Sequence, residues 1–147
     1  MPLDLTVDVG VVMSASGLGA AGHREASLGL LKAIESRAQW LLALDSRGRI
    51  RYQYEEKVKQ GFGEAWLRRL ASTNRIAFVT CRKLDRGTVT RLKEDHFDPE
   101  DFKYVHTAAS TQCKKLISHD PDYSHQVRKT LKRVDVEVLT AEEAIAL

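Results

Sequence analysis

Three aspartates, Asp8, Asp101 and Asp120, stand where a carboxylate is either costly or useful. Asp8 lies within Val7-Asp8-Val9, near the end of an apolar, β-branched segment in which an unpaired carboxylate is expensive to bury. Asp120 directly follows the apolar Leu116-Ile117-Ser118. Asp101 falls in the first turn opened by Asp98-Pro99-Glu100, an N-cap acid followed by a proline at the first helical position. Singly, an acid in a first turn answers the helix dipole, and an acid after a strand closes a turn. Several carboxylates converging on one crevice, however, repel one another unless protonated or neutralised, and a divalent cation is the usual neutraliser. The chemistry on offer is metal-assisted hydrolysis. A bound cation lowers the pKa of a water it holds, and a carboxylate can receive the proton.

The elements that must position these acids follow from periodicity. Leu3 to Val12 reads as a strand running into a small, glycine-rich loop from Ser14 to Gly22. His23 to Gln39 repeats Ala26, Leu30, Ala33, Ile34 and Ala38 on one helical face. Trp40 to Leu44 reads as a strand ending at Asp45, which closes the turn Ser46–Arg49 or stands at the rim of the crevice. Tyr52–Lys59 and Glu64–Ser72 read as helices broken by Gly61-Phe62-Gly63, and Ile76–Thr80 as a strand, whereas Arg82 to His96 has no clear period. A helix from Asp98 to about Thr111 should bury Phe102, Val105 and Ala109. Leu116–Ser118 is a short strand, Ser124–Arg133 a helix, and Val134–Leu139 a strand of period two before a capping box, Thr140 to Glu143. Alternating strands and helices predict a mainly parallel sheet covered on both faces, a three-layer α/β/α sandwich.

Composition bounds the rest. The 147 residues fit one domain, 1–147. Apolar residues make up 43% and charged residues 29%, no stretch approaches a membrane span, and no signal-like segment opens the chain, so a soluble cytoplasmic protein is expected. Cys81 and Cys113 have no neighbours at zinc-site spacing. The net charge is only +3, but basic residues bunch at Arg68–Arg69, Arg82 to Lys93, Lys114–Lys115 and Arg128 to Arg133, on solvated faces or along a phosphate track.

Two stretches also resemble the acidic motifs of PIN domains. One is Val7-Asp8-Val9-Gly10-Val11-Val12; the other is Asp101 to Ala109 followed by Leu116-Ile117-Ser118-His119-Asp120. Leu42 to Ile50 followed by Tyr52 to Glu56 is similar to a prokaryotic PIN-like branch, and Val138 to Glu143 to the family's closing strand and capped helix. The resemblance implies a central parallel sheet of about five strands, Mg2+ or Mn2+ as cofactor, and an endoribonuclease acting on single-stranded RNA, often the toxin partnered by an antitoxin protein and often a homodimer. By matching position it makes Asp8, Asp101 and Asp120 metal ligands and catalytic residues, with Ser118 beside them. Arg82, Lys83 and Arg86 are expected on the RNA backbone.

The chain departs from that pattern twice. Gly10 stands where the family commonly has asparagine, and Gln53 where the branch has its second acid. A carboxamide oxygen can coordinate a cation but brings no charge and no base. Glu55 and Glu56 are candidate substitutes; Glu56 neighbours Gln53 at three-residue spacing, whereas Glu55 can pair with Lys59. The alternative function is thus a catalytically degenerate PIN-like module that binds nucleic acid or protein. His106 and His119 read as packed or solvated side chains, Trp40 and Trp66 as core or interface anchors, Tyr52 and Tyr54 as packing residues first and as rings for single-stranded bases second, and Asp122 as the substitute for Asp120.

Overall fold

The computed structural model describes residues 2–18 and 21–147, so part of the expected glycine-rich loop, at 19–20, lies outside the described residues. Five strands, β1 (Leu3–Val7), β2 (Trp40–Asp45), β3 (Ile76–Val79), β4 (Lys115–Ile117) and β5 (Glu137–Leu139), form one all-parallel sheet in the order β3-β2-β1-β4-β5. The helices between them are α1 (Val9–Ala15), α2 (Arg24–Ser36), α3 (Arg49–Lys57), α4 (Phe62–Ser72), α5 (Arg86–Glu94), α6 (Phe102–Ser110), α7 (His125–Leu131) and α8 (Ala141–Ile145). Right-handed crossovers put α1 to α4 on one face, where α8 joins α2, and α5 to α7 on the other, completing the three-layer sandwich. The chain fills one side of β1 first and then reverses to place β4 on the other, so a topological switch point opens between β1 and β4.

The first strand is shorter than the β-branched run suggested. It stops at Val7, because Asp8 caps a helix: its backbone is extended and its Oδ1 accepts the Gly10 amide at 3.3 Å. Val9, Val11, Val12 and Ala15 then bury a helical face, and that burial outweighs their weak preference for strand. Helix α2 ends at Ser36, leaving Ala38 exposed. The stretch without a period holds α5, capped by Asp85 accepting the Thr88 amide at 3.0 Å. Helix α6 begins at Phe102 after one tight turn, Pro99–Asp101; it buries Tyr104, Val105, Thr107 and Ala108, while Phe102 and Ala109 are only half-buried. Strand β5 is cut to three residues by a tight turn at Lys132–Val134 and by Asp135 in the left-handed region. The capping box at Thr140 and Glu143 forms as read.

The core runs along the sheet through Leu5, Val7, Leu42, Leu44, Leu116 and Ile117, all essentially inaccessible, and out to Trp66, Tyr54 and Tyr104. One glycine is dictated by space: a Cβ on Gly63 would sit 2.3 Å from the Tyr54 carbonyl oxygen, so α3 and α4 approach this closely only without a side chain there. No helix among the described residues is long and apolar enough to cross a membrane.

Candidate metal centre

Asp8, Asp101 and Asp120 line one cavity of about 500 Å³ at the switch point, beyond the carboxyl ends of β1 and β4. Each arrives by a separate local device. Asp8 is the cap between β1 and α1, and its amide donates to the Ile117 carbonyl at 2.9 Å, locking it to the end of β4. Ser118 joins the two strands: its hydroxyl donates to Asp8 Oδ2 at 2.7 Å and accepts the Asp120 amide at 3.0 Å. Asp101 comes from the opposite face, in the turn that Asp98 opens by accepting the Glu100 amide at 3.0 Å.

Electrostatically the cavity is under-neutralised. Burial, first of all, pushes the Asp8 carboxyl above its usual range; the bonds from Ser118 and Gly10 pull it back, and the Asp120 charge pushes it up again. Asp101 is pushed up to about 7, first by burial and then by the charges of Asp8, Asp120, Asp98 and Asp122. Lys57 also lines the cavity and only partly offsets Asp8. Among the described residues, one carboxylate oxygen each from Asp98, Asp101 and Asp122 lie within 4.8 Å of one another, a trio that includes neither Asp8 nor Asp120. Asp101 therefore belongs both to this outer trio and to the expected inner set of Asp8 and Asp120. No family model and no curated protein matches the chain.

Gln53 reaches the same cavity and is buried, and its side-chain oxygen accepts the Tyr104 hydroxyl, which in turn accepts the Val9 amide at 3.2 Å. Tyr54, the next residue, is fully buried and donates to the Val7 carbonyl, so α3 is pinned to the end of β1. The other candidate acids do not join them. Glu55 turns away and pairs with Arg51 at 2.9 Å rather than with Lys59, which lies beyond the end of α3. Glu56 is exposed in the adjoining groove, together with Gln53 and Lys57. Asp45 is buried, and its two oxygens accept the Arg49 and Ile50 amides at 3.0 and 2.9 Å, which makes it the turn-closing cap of α3.

That groove continues past Tyr52, Arg47, Arg49, Lys103 and His106 to a second recess, of about 300 Å³, holding Arg82 and Lys83. Arg86 opens α5, is exposed and does not line the recess. Of the two tyrosines, Tyr54 packs, whereas Tyr52 is 62% exposed beside the groove, which leaves it the other use read for it, a ring for bases.

Sequence reasoning passed over several residues that shape the cavity. Tyr104 has no motif signal, since its role depends on a contact 51 residues away in sequence. Tyr123 is buried with its hydroxyl unpartnered, amid the charges of Asp8, Asp101, Asp120 and Asp122 that, after burial, raise its pKa further. His119, read as a packing residue, stacks on His23 with ring centroids 4.0 Å apart, and its Nε2 accepts the Ala141 amide at 3.0 Å. That bond ties the segment after β4, which carries Ser118, to α8.

Proposed function

We propose that the protein is a divalent-metal-dependent endoribonuclease of the PIN-like kind. The observation carrying this reading is that Asp8, Asp101 and Asp120, from three separate segments, share one cavity in which Asp101 titrates near neutrality. Such a carboxylate cluster is poorly stable alone and suits a hard, oxygen-seeking cation, Mg2+ or Mn2+. Asp101 would hold the ion together with Asp8 and Asp120, and Asp98 and Asp122 extend the donor set on the solvent side. When bound, the metal activates a water and offsets charge on the phosphodiester.

The chain's own residues do the rest. Ser118 orients Asp8 by donating to Oδ2, leaving Oδ1 to the weaker 3.3 Å bond with Gly10. Asp120 is partly exposed and has one oxygen engaged by the Asp122 amide, so its other oxygen can take a proton from an attacking water. The groove bearing Arg47, Arg49, Lys57 and exposed Tyr52 offers cations to phosphates and a ring to an unpaired base, which supports single-stranded RNA as substrate. The toxin role, the antitoxin partner and the homodimer extend the proposal through the resemblance alone.

One specific observation favours the alternative, a degenerate binding module: the second acid is replaced by Gln53, whose oxygen already serves Tyr104. Incubating a mixed RNA pool with Mn2+ separates the two. Cleavage by wild type that disappears in Asp8→Asn supports the nuclease; an intact pool with both proteins supports the module.

A further inference from the structure

The basic recess differs from the groove leading to it. It lies beyond the carboxyl ends of β2 and β3, where Ser46 follows Asp45 and Thr80 and Cys81 follow Val79, and Lys103 and His106 of α6 close its side. Arg47, Arg49, Arg82 and Lys83 converge on it, and none has an ion pair among the described residues. Lys103, also lining it, is paired with Glu100 at 3.5 Å. The only carboxylate in the lining, Asp45, has both oxygens turned to the amides of α3. Five cationic side chains, one of them the paired Lys103, thus face a single carboxylate around a volume of about 300 Å³, the small end of the range for ligand pockets.

We infer that this recess binds a terminal phosphomonoester of a nucleic-acid strand, anchoring the strand's end while the chain passes along the groove toward Asp101. The inference rests on the proposed reading for the identity of the strand, and on the recess for the phosphate. A strand end is preferred to an internal diester for two reasons. A phosphomonoester carries about −1.5 to −2 charge near neutrality, where a diester carries about −1. It also presents a further free oxygen, and guanidinium forks bind such oxygens in pairs. Three arginines around one small recess suit the more highly charged group. An extended track of internal phosphates would instead space its cations along a line.

The test uses short single-stranded RNAs of one sequence carrying a 5′-phosphate, a 3′-phosphate or hydroxyls at both ends, each with a fluorophore on an unphosphorylated end or internal base. Binding is read by anisotropy in chelator, so no metal and no cleavage enter. One phosphorylated end should bind at least tenfold more tightly than the hydroxyl strand, inorganic phosphate should compete, and the preference should vanish in Arg47→Gln/Arg82→Gln. Both side chains are exposed, and circular dichroism checks that the variant folds. Equal affinity for all three strands overturns the inference, as does a preference that survives the double substitution. A mononucleotide that binds as tightly as the phosphorylated strand assigns the recess to free nucleotides and overturns it too. Should Mn2+ produce no cleavage while the end preference holds, the nuclease reading fails and the recess assignment stands.

Discussion

Asp45 at the end of β2 and Asp8 just after β1 are both buried and both accept amides of the helix that follows, yet they are opposite in kind. Both oxygens of Asp45 are taken by backbone amides at 2.9 and 3.0 Å, and the charge is spent on the first turn of α3. Asp4, at the other end of β1, is treated alike, with its oxygens accepting the Gln112 and Cys113 amides at 2.9 and 3.0 Å. Asp8 receives one amide at 3.3 Å and one hydroxyl, and shares its cavity with Asp101 and Asp120. Backbone amides that saturate a carboxylate make it structural. Asp8 is also engaged at both oxygens, though only weakly at Oδ1, and what sets it apart is that it lines a cavity with two further acids whose charges the chain leaves to be neutralised.

The largest expected effect breaks this comparison on the side of the cavity. Asp101→Asn should abolish Mn2+-dependent cleavage, by on the order of 100-fold or more, if several kcal/mol of charge stabilisation depend on the ion it holds. The same change should stabilise the metal-free fold. Folded Asp101 keeps its proton up to about pH 7, whereas in the unfolded chain it loses it near 3.8. The folded state therefore binds more protons in that window, and wild-type stability in chelator falls as pH rises from about 4 to 7. Thermal denaturation across that range should show the decline in wild type and a flatter profile in Asp101→Asn, with the variant melting higher at pH 8. With Mn2+ added, only wild type should gain.

Next in size is the counterpart at Asp45. Asp45→Ala should cost about 1–2 kcal/mol, the scale of a lost helix cap, and leave Mn2+ affinity unchanged. Urea denaturation and calorimetric titration measure the two separately. A loss of Mn2+ affinity matching that of Asp8→Asn would erase the distinction between the two aspartates.

Smaller effects sharpen it. Gln53→Glu restores a charge where the Tyr104 hydroxyl can still donate, and should tighten Mn2+ binding about tenfold, ~1.4 kcal/mol. Glu55→Gln should leave it unaltered, because Glu55 faces Arg51. Gly10→Asn is expected to act least: its Cβ would lie 3.9 Å from Asp8 Oδ2, an ordinary contact, so a side chain fits there and adds a polar group to the rim.

The layered architecture and the meeting of Asp8, Asp101 and Asp120 in one cavity were legible because they rest on local signals: alternating periods, an N-cap with proline, a carboxylate after an apolar run. Val9 to Ala15 misled for a physical reason. Valines fit strand by propensity, and only the Asp8 cap and burial of one face turn them into a helix. Glu55 could not be placed without knowing that α3 stops at Lys57, which removes Lys59 and leaves Arg51 as its partner. The cap role of Asp45 and the bridging role of Tyr104 depend on backbone amides and distant side chains that no spacing along the chain encodes.

Anomalous diffraction from crystals soaked in Mn2+ tests the central claim most directly. The account predicts a peak in the cavity within coordination distance of Asp101, about 2.0–2.6 Å, and bordered by Asp8 or Asp120. A peak held by other residues, or none at saturating Mn2+ with all the carboxylates ordered, would contradict it.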